Sequence, residues 1–425
     1  MGNNEFHSFF QNATTRRPTV QAPTRLCSPG PVAASPTPGS ARPPPSILLS
    51  IQTMAKTVSF SKTVLAAVVA ALSMGAAQAA QKEVTDVQGR KVKIESPAKR
   101  VLLGFYFEDY MAVGTEKAFD KVVGISREAW EGWRPANWAL HTAHRPSLKD
   151  LPDVGEVEVQ SFSVEKTLAL RPDVIVLAKW QYLGLGPDVD RLEQSGIPIV
   201  VVDYNDQDLK NHVASTLLLG EITGQQARAK KIANEYKEAV ETITSRIAKA
   251  GKAKPKVYVE FGNKGPSEYS FSYGKNMWGP MITTAGGENI AAPFVEYWGP
   301  LNPEQIIASR PDVILISGTE SKKNPNAMLM GEGVDKAEAQ KRLEGYAKRP
   351  GWGSLPAIKD KRIYGVYQGA SRSITDYPSI QYIAKVAYPE LFKDLDPQAN
   401  YISFYKRYLP VTPSGTFYTG LNDAK

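Results

Sequence analysis

Phe162-Ser-Val-Glu-Lys-Thr-Leu-Ala-Leu-Arg-Pro-Asp-Val-Ile-Val-Leu177 returns 139 residues later as Leu301-Asn-Pro-Glu-Gln-Ile-Ile-Ala-Ser-Arg-Pro-Asp-Val-Ile-Leu-Ile316. Seven of the sixteen positions are identical, and the glutamate and the Arg-Pro-Asp-Val-Ile run keep one register. Each copy reads as a short helix, a turn set by proline and a buried strand. Proline cannot continue the helix, and it pushes the arginine before it toward an extended backbone. One supersecondary unit used twice describes a chain built as two similar halves.

The flanking sequence extends this pattern. Short, apolar, β-branched runs at 100–104, 122–125, 173–177 and 197–202 alternate with helical stretches, and 256–260 and 362–366 repeat the theme. Such alternation predicts mostly parallel sheets covered by helices. From residue 225 to about 250, Ala233, Tyr236, Val240, Ile243 and Ile247 follow 3,4,3,4 spacing, one face of a helix. A helix of ~26 residues spans roughly 39 Å, enough to bridge two lobes. Gly251 and Pro255 end it. The organisation expected is an N-terminal lobe at 97–210, a connecting helical segment at 211–252 and a C-terminal lobe at 253–425.

The first eighty residues are of another kind. Residues 1–53 hold nine prolines; a segment of that composition cannot bury enough apolar surface to offset its ordering entropy, and is expected to be disordered. Residues 54–79 have Lys56 and Lys62, an apolar run at 63–74 and small residues at Ala77 and Ala79. These are the three parts of a secretory signal peptide, with a core shorter than the ~20 residues a bilayer span takes. Met54 is then the expected start, and 1–53 an over-extended gene start. A rival twin-arginine signal at Arg16-Arg17 is followed by Pro18 rather than an apolar core.

This reading alters the charge balance. The 425 residues carry a formal net charge of +8, but six of the 51 basic residues and one of the 43 acidic ones lie in 1–80. A product cleaved after Ala79 keeps 346 residues and about +3, which removes the reason to expect a nucleic-acid partner. A composition 42% hydrophobic and 22% charged excludes collagen, membrane-bundle and wholly disordered classes. The only cysteine, Cys27, falls in the over-extended segment 1–53, so no disulfide framework, cysteine zinc site or lipid anchor is expected in the cleaved product. The product is expected to be free in the periplasm, and monomeric.

Further segments complete a pattern: Leu219-Gly-Glu-Ile-Thr-Gly224, Ile282-Thr-Thr-Ala-Gly-Gly-Glu-Asn-Ile-Ala291, Trp352-Gly-Ser-Leu-Pro-Ala-Ile-Lys-Asp-Lys-Arg-Ile-Tyr364 and Tyr388-Pro-Glu-Leu-Phe392. With the two Glu-x-x-x-Ala-x-Arg-Pro-Asp-Val-Ile units, they resemble the periplasmic substrate-binding proteins of ferric-siderophore, heme or cobalamin ABC importers. The resemblance covers 97–410. It implies an α/β fold of two Rossmann-like lobes with mostly parallel sheets, joined by one long α-helix. It also implies that one glutamate per lobe docks on the inner-membrane permease; the matching positions are Glu165 and Glu304. Two like charges, one per half, suit a twofold partner. The blander alternative is an acid placed by the macrodipole of a helix N-terminus.

Ligand groups are expected in the crevice at the carboxyl ends of the strands. Aromatic and arginine residues in those loops single out Tyr106, Trp133, Arg134, Trp180, Tyr182, Tyr273, Trp278, Tyr297, Tyr367 and Arg372. Flat rings and guanidinium groups can hold a bulky anionic iron chelate. Alternatively, tyrosine phenolates can ligate Fe³⁺ directly; no metal ligand set is assigned. His141 and His144 read as solvent-exposed or capping, and His212 as structural. No nucleophile elbow, phosphate loop or His-Glu-x-x-His is present, so no enzyme and no tightly bound cofactor are expected. The expected cargo is a ferric siderophore. Heme, cobalamin or another metal chelate is the alternative, and an exported enzyme on the same fold the third reading.

Overall fold

In the computed structural model, which describes residues 80–423, the chain opens with an antiparallel hairpin, β1 (Ala80–Thr85) and β2 (Lys91–Ser96). The readings made for 1–79 lie outside the described residues. The hairpin is nearly all polar, with Val84 and Ile94 turned inward, so its sequence carries little strand signal.

The first half follows as β3 (Val101–Leu103), α1 (Phe107–Gly114), β4 (Val122–Ile125), α2 (Pro135–His144), α3 (Val164–Ala169), β5 (Val174–Ala178), α4 (Lys179–Gly184), α5 (Asp188–Gln194), β6 (Ile199–Val202) and α6 (Leu209–Thr223). Gly224, at φ 72, ends α6. The helix α7 (Gln226–Ala250) then runs 25 residues to Gly251. The second half is β7 (Lys256–Phe261), β8 (Phe271–Tyr273), α8 (Trp278–Thr284), β9 (Glu288–Asn289), β10 (Trp298–Pro300), α9 (Pro303–Ser309), β11 (Val313–Gly318), β12 (Gly331–Glu332), α10 (Lys336–Ala347), α11 (Pro356–Lys359), β13 (Ile363–Tyr367), α12 (Tyr377–Ala387), α13 (Pro397–Tyr408), β14 (Gly415–Thr416) and β15 (Tyr418–Gly420).

The duplication holds at the level of topology. The first sheet is parallel in the order β4-β3-β5-β6, and the second has β9-β7-β11-β13 with β15 added antiparallel at its edge. In each, the repeated segment supplies the third strand. Its aspartate ties that strand to the first one: Asp173 Oδ2 accepts the Lys99 and Arg100 N–H groups at 2.8 and 3.0 Å, and Asp312 Oδ2 accepts Lys256 N–H at 2.8 Å.

The prolines act differently from expectation. Arg171 and Arg310, expected to be extended, have φ of 45° and 51°, in the left-handed region. Proline bars the right-handed helical well to the residue before it, and the left-handed well satisfies the same exclusion. It also closes the preceding short helix, through Arg171 N–H to Leu168 O and Arg310 N–H to Ile307 O.

Helix α7 buries Ala229, Ile232, Ala233, Tyr236, Val240 and Ile243. Its stripe lies against α1 and α6 of the first half and α8 and α12 of the second. One apolar cluster therefore continues from Val101 and Leu219 through Ile232 and Val240 to Ile282 and Ile383. A second, smaller cluster packs Val164 and Leu192 on the outer face of the first sheet. No helix among the described residues is long and apolar enough to cross a membrane.

Candidate functional site

In each sheet the second and third strands flank the first on opposite sides, so the chain switches direction beside the first strand. Loops leaving the carboxyl ends there face the crevice between the halves. After β3 comes Gly104, where a Cβ would lie 2.7 Å from Gln181 Oε1. Tyr106 follows at φ 58 and starts α1, and its hydroxyl accepts the Tyr204 N–H at 3.1 Å. This tight exit turns Phe105 toward two tryptophans. Its ring centroid is 5.5 Å from Trp180 and 6.0 Å from Trp133, which are 6.0 Å from each other.

Arg372, from the loop after β13, stands over this trough. Its guanidinium carbon is 5.0 Å from the Phe105 ring and 5.3 Å from Trp133. Among the described residues it has no hydrogen bond or ion pair. The indole N–H of Trp180 is likewise buried without an acceptor. Burial raises the Glu158 carboxyl, and the Arg372 charge opposes that rise. The trough thus offers aromatic faces, one cation with no hydrogen bond or ion pair among the described residues, and one unused donor. That set suits a flat or conjugated anion.

Beneath it the halves are bolted together by buried polar groups. The Glu108 carboxylate accepts from Arg134 at 2.5 Å, Asn137 at 3.0 Å, His141 at 3.0 Å and, from the other half, Tyr405 at 2.9 Å. Burial alone would raise its pKa; Arg134, then His141 and Asn137, outweigh burial and hold it well below the carboxylate range. Arg134 Nε also donates to Tyr367 at 3.3 Å, whose hydroxyl donates to Glu320 at 3.4 Å. Asp376, fully buried, accepts from Gln207 at 2.6 Å, Tyr236 at 2.8 Å and His212 at 3.2 Å.

Asp109 accepts Ile374 N–H at 2.6 Å and the Ser373 hydroxyl at 3.0 Å. Burial, the largest influence, pushes its carboxyl up to about 7 against the pull of those two bonds. Its folded pKa lies above the unfolded value near 3.9. The cost of the buried charge is therefore absent below pH ~4 and accumulates as pH rises through about 7.

The sequence-selected residues divide accordingly. Trp133, Trp180 and Arg372 meet in the trough, with Tyr106 buried below them. Tyr273 and Trp278 are joined in one wall by Gln368, which donates to the Tyr273 hydroxyl at 2.9 Å and accepts from Trp278 Nε1 at 2.7 Å. Tyr297 is 38% exposed. Arg134 and Tyr367 belong to the floor. Tyr182 is elsewhere: the Arg90 guanidinium lies 4.3 Å from its ring and donates to its hydroxyl at 3.0 Å, packing α4 on the hairpin.

His141, expected at the surface, is 1% exposed on Glu108. The apolar face of α2 turns inward at that position, and the carboxylate supplies the partner that an imidazole needs there. His144 does lie at the surface, with Glu116, and His212 is structural, bonded to Asp376. Phe105, Glu108, Asp109 and Asp376 were not singled out. Two acids directly after an aromatic strand exit were the available signal for Glu108 and Asp109. Among the described residues, no three His, Cys, Asp or Glu side chains converge as a metal centre.

Glu165 and Glu304 occupy the first turns of α3 and α9. Both are exposed. Glu165 pairs with Arg191 at 2.6 Å, whereas no ion pair is formed by Glu304 among the described residues.

The family model described as periplasmic binding protein matches residues 101–368. The structure of FepB from Veillonella parvula, a TroA-like periplasmic binding protein, is 32% identical, with a TM-score of 0.75, covering 80% of this chain and 99% of that one. Molybdate-bound MolA of Haemophilus influenzae shares the fold at 17% identity and a TM-score of 0.58, covering 78% of this chain and 99% of its own. The vitamin B12-binding protein of Yersinia pestis is 30% identical over 165 residues, 38% of this chain and 55% of that protein. The chain thus spans about half the length of the curated relatives it matches.

Proposed function

Because this chain belongs to the periplasmic binding protein family, we propose that it captures a ferric siderophore in the periplasm and delivers it to an inner-membrane ABC importer. The observation that carries this reading is Arg372, a guanidinium with no hydrogen bond or ion pair among the described residues, lying on Phe105 and Trp133 beside the free indole N–H of Trp180. An anionic chelate with conjugated ligands answers all three features: charge on the cation, rings on the rings, oxygen on the indole.

Between the two chemistries considered, the phenol environment favours holding the intact chelate. Burial raises the pKa values of Tyr106, Tyr273 and Tyr367 above the ordinary phenol value. Releasing their protons to ligate Fe³⁺ therefore costs more than at an exposed tyrosine, which opposes phenolate ligation. The iron is cargo, and the protein a carrier rather than an enzyme. The partial likeness to a vitamin B12-binding protein favours cobalamin as the second reading.

Native mass spectrometry and an absorption spectrum of protein purified from its host test this. A bound ferric complex with a ligand-to-metal charge-transfer band is expected. A Soret band or a corrin spectrum would overturn the siderophore reading in favour of heme or cobalamin.

The permease contact is proposed at Glu165 and Glu304. Reversing Glu304 to lysine is expected to cut uptake by tenfold or more while changing cargo affinity less than twofold. Glu165→Lys should have the smaller effect, since Arg191 already answers part of that charge. Equal uptake by wild type and both reversals would rule this contact out.

A further inference from the structure

We infer that Asp109 is a positioning residue for Arg372: it holds the loop that presents the binding cation, although it lies in the opposite half and touches no cargo. This rests on the reading of Arg372 as the anion contact.

Arg372 is the one member of the trough that comes from the second half. It sits in the segment 371–376 between β13 and α12, yet that segment is held mainly by the first half. On one side of Arg372, Gln207 donates to Ser371 O at 2.9 Å. On the other, Asp109 takes the Ile374 N–H at 2.6 Å and the Ser373 hydroxyl at 3.0 Å. Ile374 is itself fully buried, so its amide has no water to turn to. The Ser373 hydroxyl also accepts the Thr375 N–H at 3.1 Å, which carries the restraint further along the loop.

The fixation is reciprocal. Asp109 reaches out of α1 into the loop, and Asp376 of the loop reaches back to Gln207, His212 and Tyr236. Arg372, by contrast, contributes no hydrogen bond of its own among the described residues. Its position over Phe105 and Trp133 is thus imposed by its neighbours' backbone. A guanidinium fixed in advance loses less freedom when it meets an anion, which is how a residue out of reach of the cargo raises affinity.

A double-mutant cycle tests the assignment. Asp109→Ala, Arg372→Ala and the double variant are titrated with ferric tris-catecholate as the probe. Amide hydrogen exchange is measured on the same proteins without it. Asp109→Ala is expected to weaken binding about tenfold and to speed Ile374 exchange at least tenfold, with Gly365 and Val366 of β13 unchanged. In the Arg372→Ala background, the same substitution should cost less than twofold in affinity. Asp109→Asn keeps an acceptor oxygen; it should recover most of the affinity, and it serves if the alanine variant does not fold. Equal losses in both backgrounds, or unchanged Ile374 exchange, would overturn the positioning role. A wild-type protein that ignores the probe would count against the siderophore reading instead, with the exchange data still deciding whether Asp109 restrains the loop.

Discussion

Arg372→Glu should weaken capture of ferric tris-catecholate about 100-fold or more, with the unfolding midpoint shifted by less than about 2 °C. A charge-assisted hydrogen bond to the anion contributes about 1.5–3 kcal/mol, and the reversed charge sets a like-charge repulsion of about 1 kcal/mol or more against it. At about 1.4 kcal/mol per decade, losing the one and adding the other reaches two decades. The reversal also adds a carboxylate to a site where Arg372 already offsets Glu158. Stability changes little because the native guanidinium makes no hydrogen bond or ion pair among the described residues, and its contacts with the Phe105 and Trp133 rings contribute only about 0.5–1 kcal/mol. Arg372→Lys keeps the charge but not the planar fork, so it should lose about tenfold. Isothermal titration and a thermal scan separate the two effects. Unaltered affinity in Arg372→Glu would eliminate the trough as the binding surface.

The largest stability effect is expected at Arg349. This guanidinium is 2% exposed, and its Nη1 and Nη2 bond the fully buried Glu260 at 2.6 and 3.0 Å. It also donates to Pro266 O at 2.8 Å and Glu268 O at 3.0 Å, and stacks 4.2 Å from Tyr269 and 4.5 Å from Trp352. One side chain thereby fastens the turn between β7 and β8 to the sheet. Arg349→Leu strands the Glu260 charge in the core, where breaking a buried pair costs about 3–5 kcal/mol. For a chain of this size the midpoint should fall by about 4–7 °C. Removing both charges, as Glu260→Met with Arg349→Met, should recover part of the loss, because the desolvation cost of the ions goes with them. Urea titration of the three proteins checks the order. A single variant within 1 kcal/mol of wild type would show that the pair is not what holds this turn.

The repeated Glu-x-x-x-Ala-x-Arg-Pro-Asp-Val-Ile unit made the fold legible because its information is local. Helix, turn and buried strand each leave a mark within sixteen residues. The long helix was legible for the same reason, since its stripe has a fixed period. The polar β1–β2 hairpin was not, because a strand that buries two residues has almost no alternation to read. The trough was half legible. Trp133, Trp180 and Arg372 stand out as loop aromatics and a loop cation. That Arg134 serves the floor and Arg372 the trough depends on Glu108, which pairs with Tyr405 across 297 positions. Local sequence names the charged groups but not which of them meet. Tyr182 shows the converse: an aromatic residue at a strand exit that the hairpin's Arg90 claims for packing.

The apolar cluster that crosses from one sheet to the other along α7 has a consequence for how the molecule comes apart. Neither lobe encloses a complete core, since each leaves one side of its interior to be finished by the connecting helix and the lobe beyond it. Melting should then be a single all-or-none event, with equal calorimetric and van't Hoff enthalpies, rather than two steps. For anyone dissecting the protein, the smallest fragment expected to fold is the two-lobed body with its connecting helix.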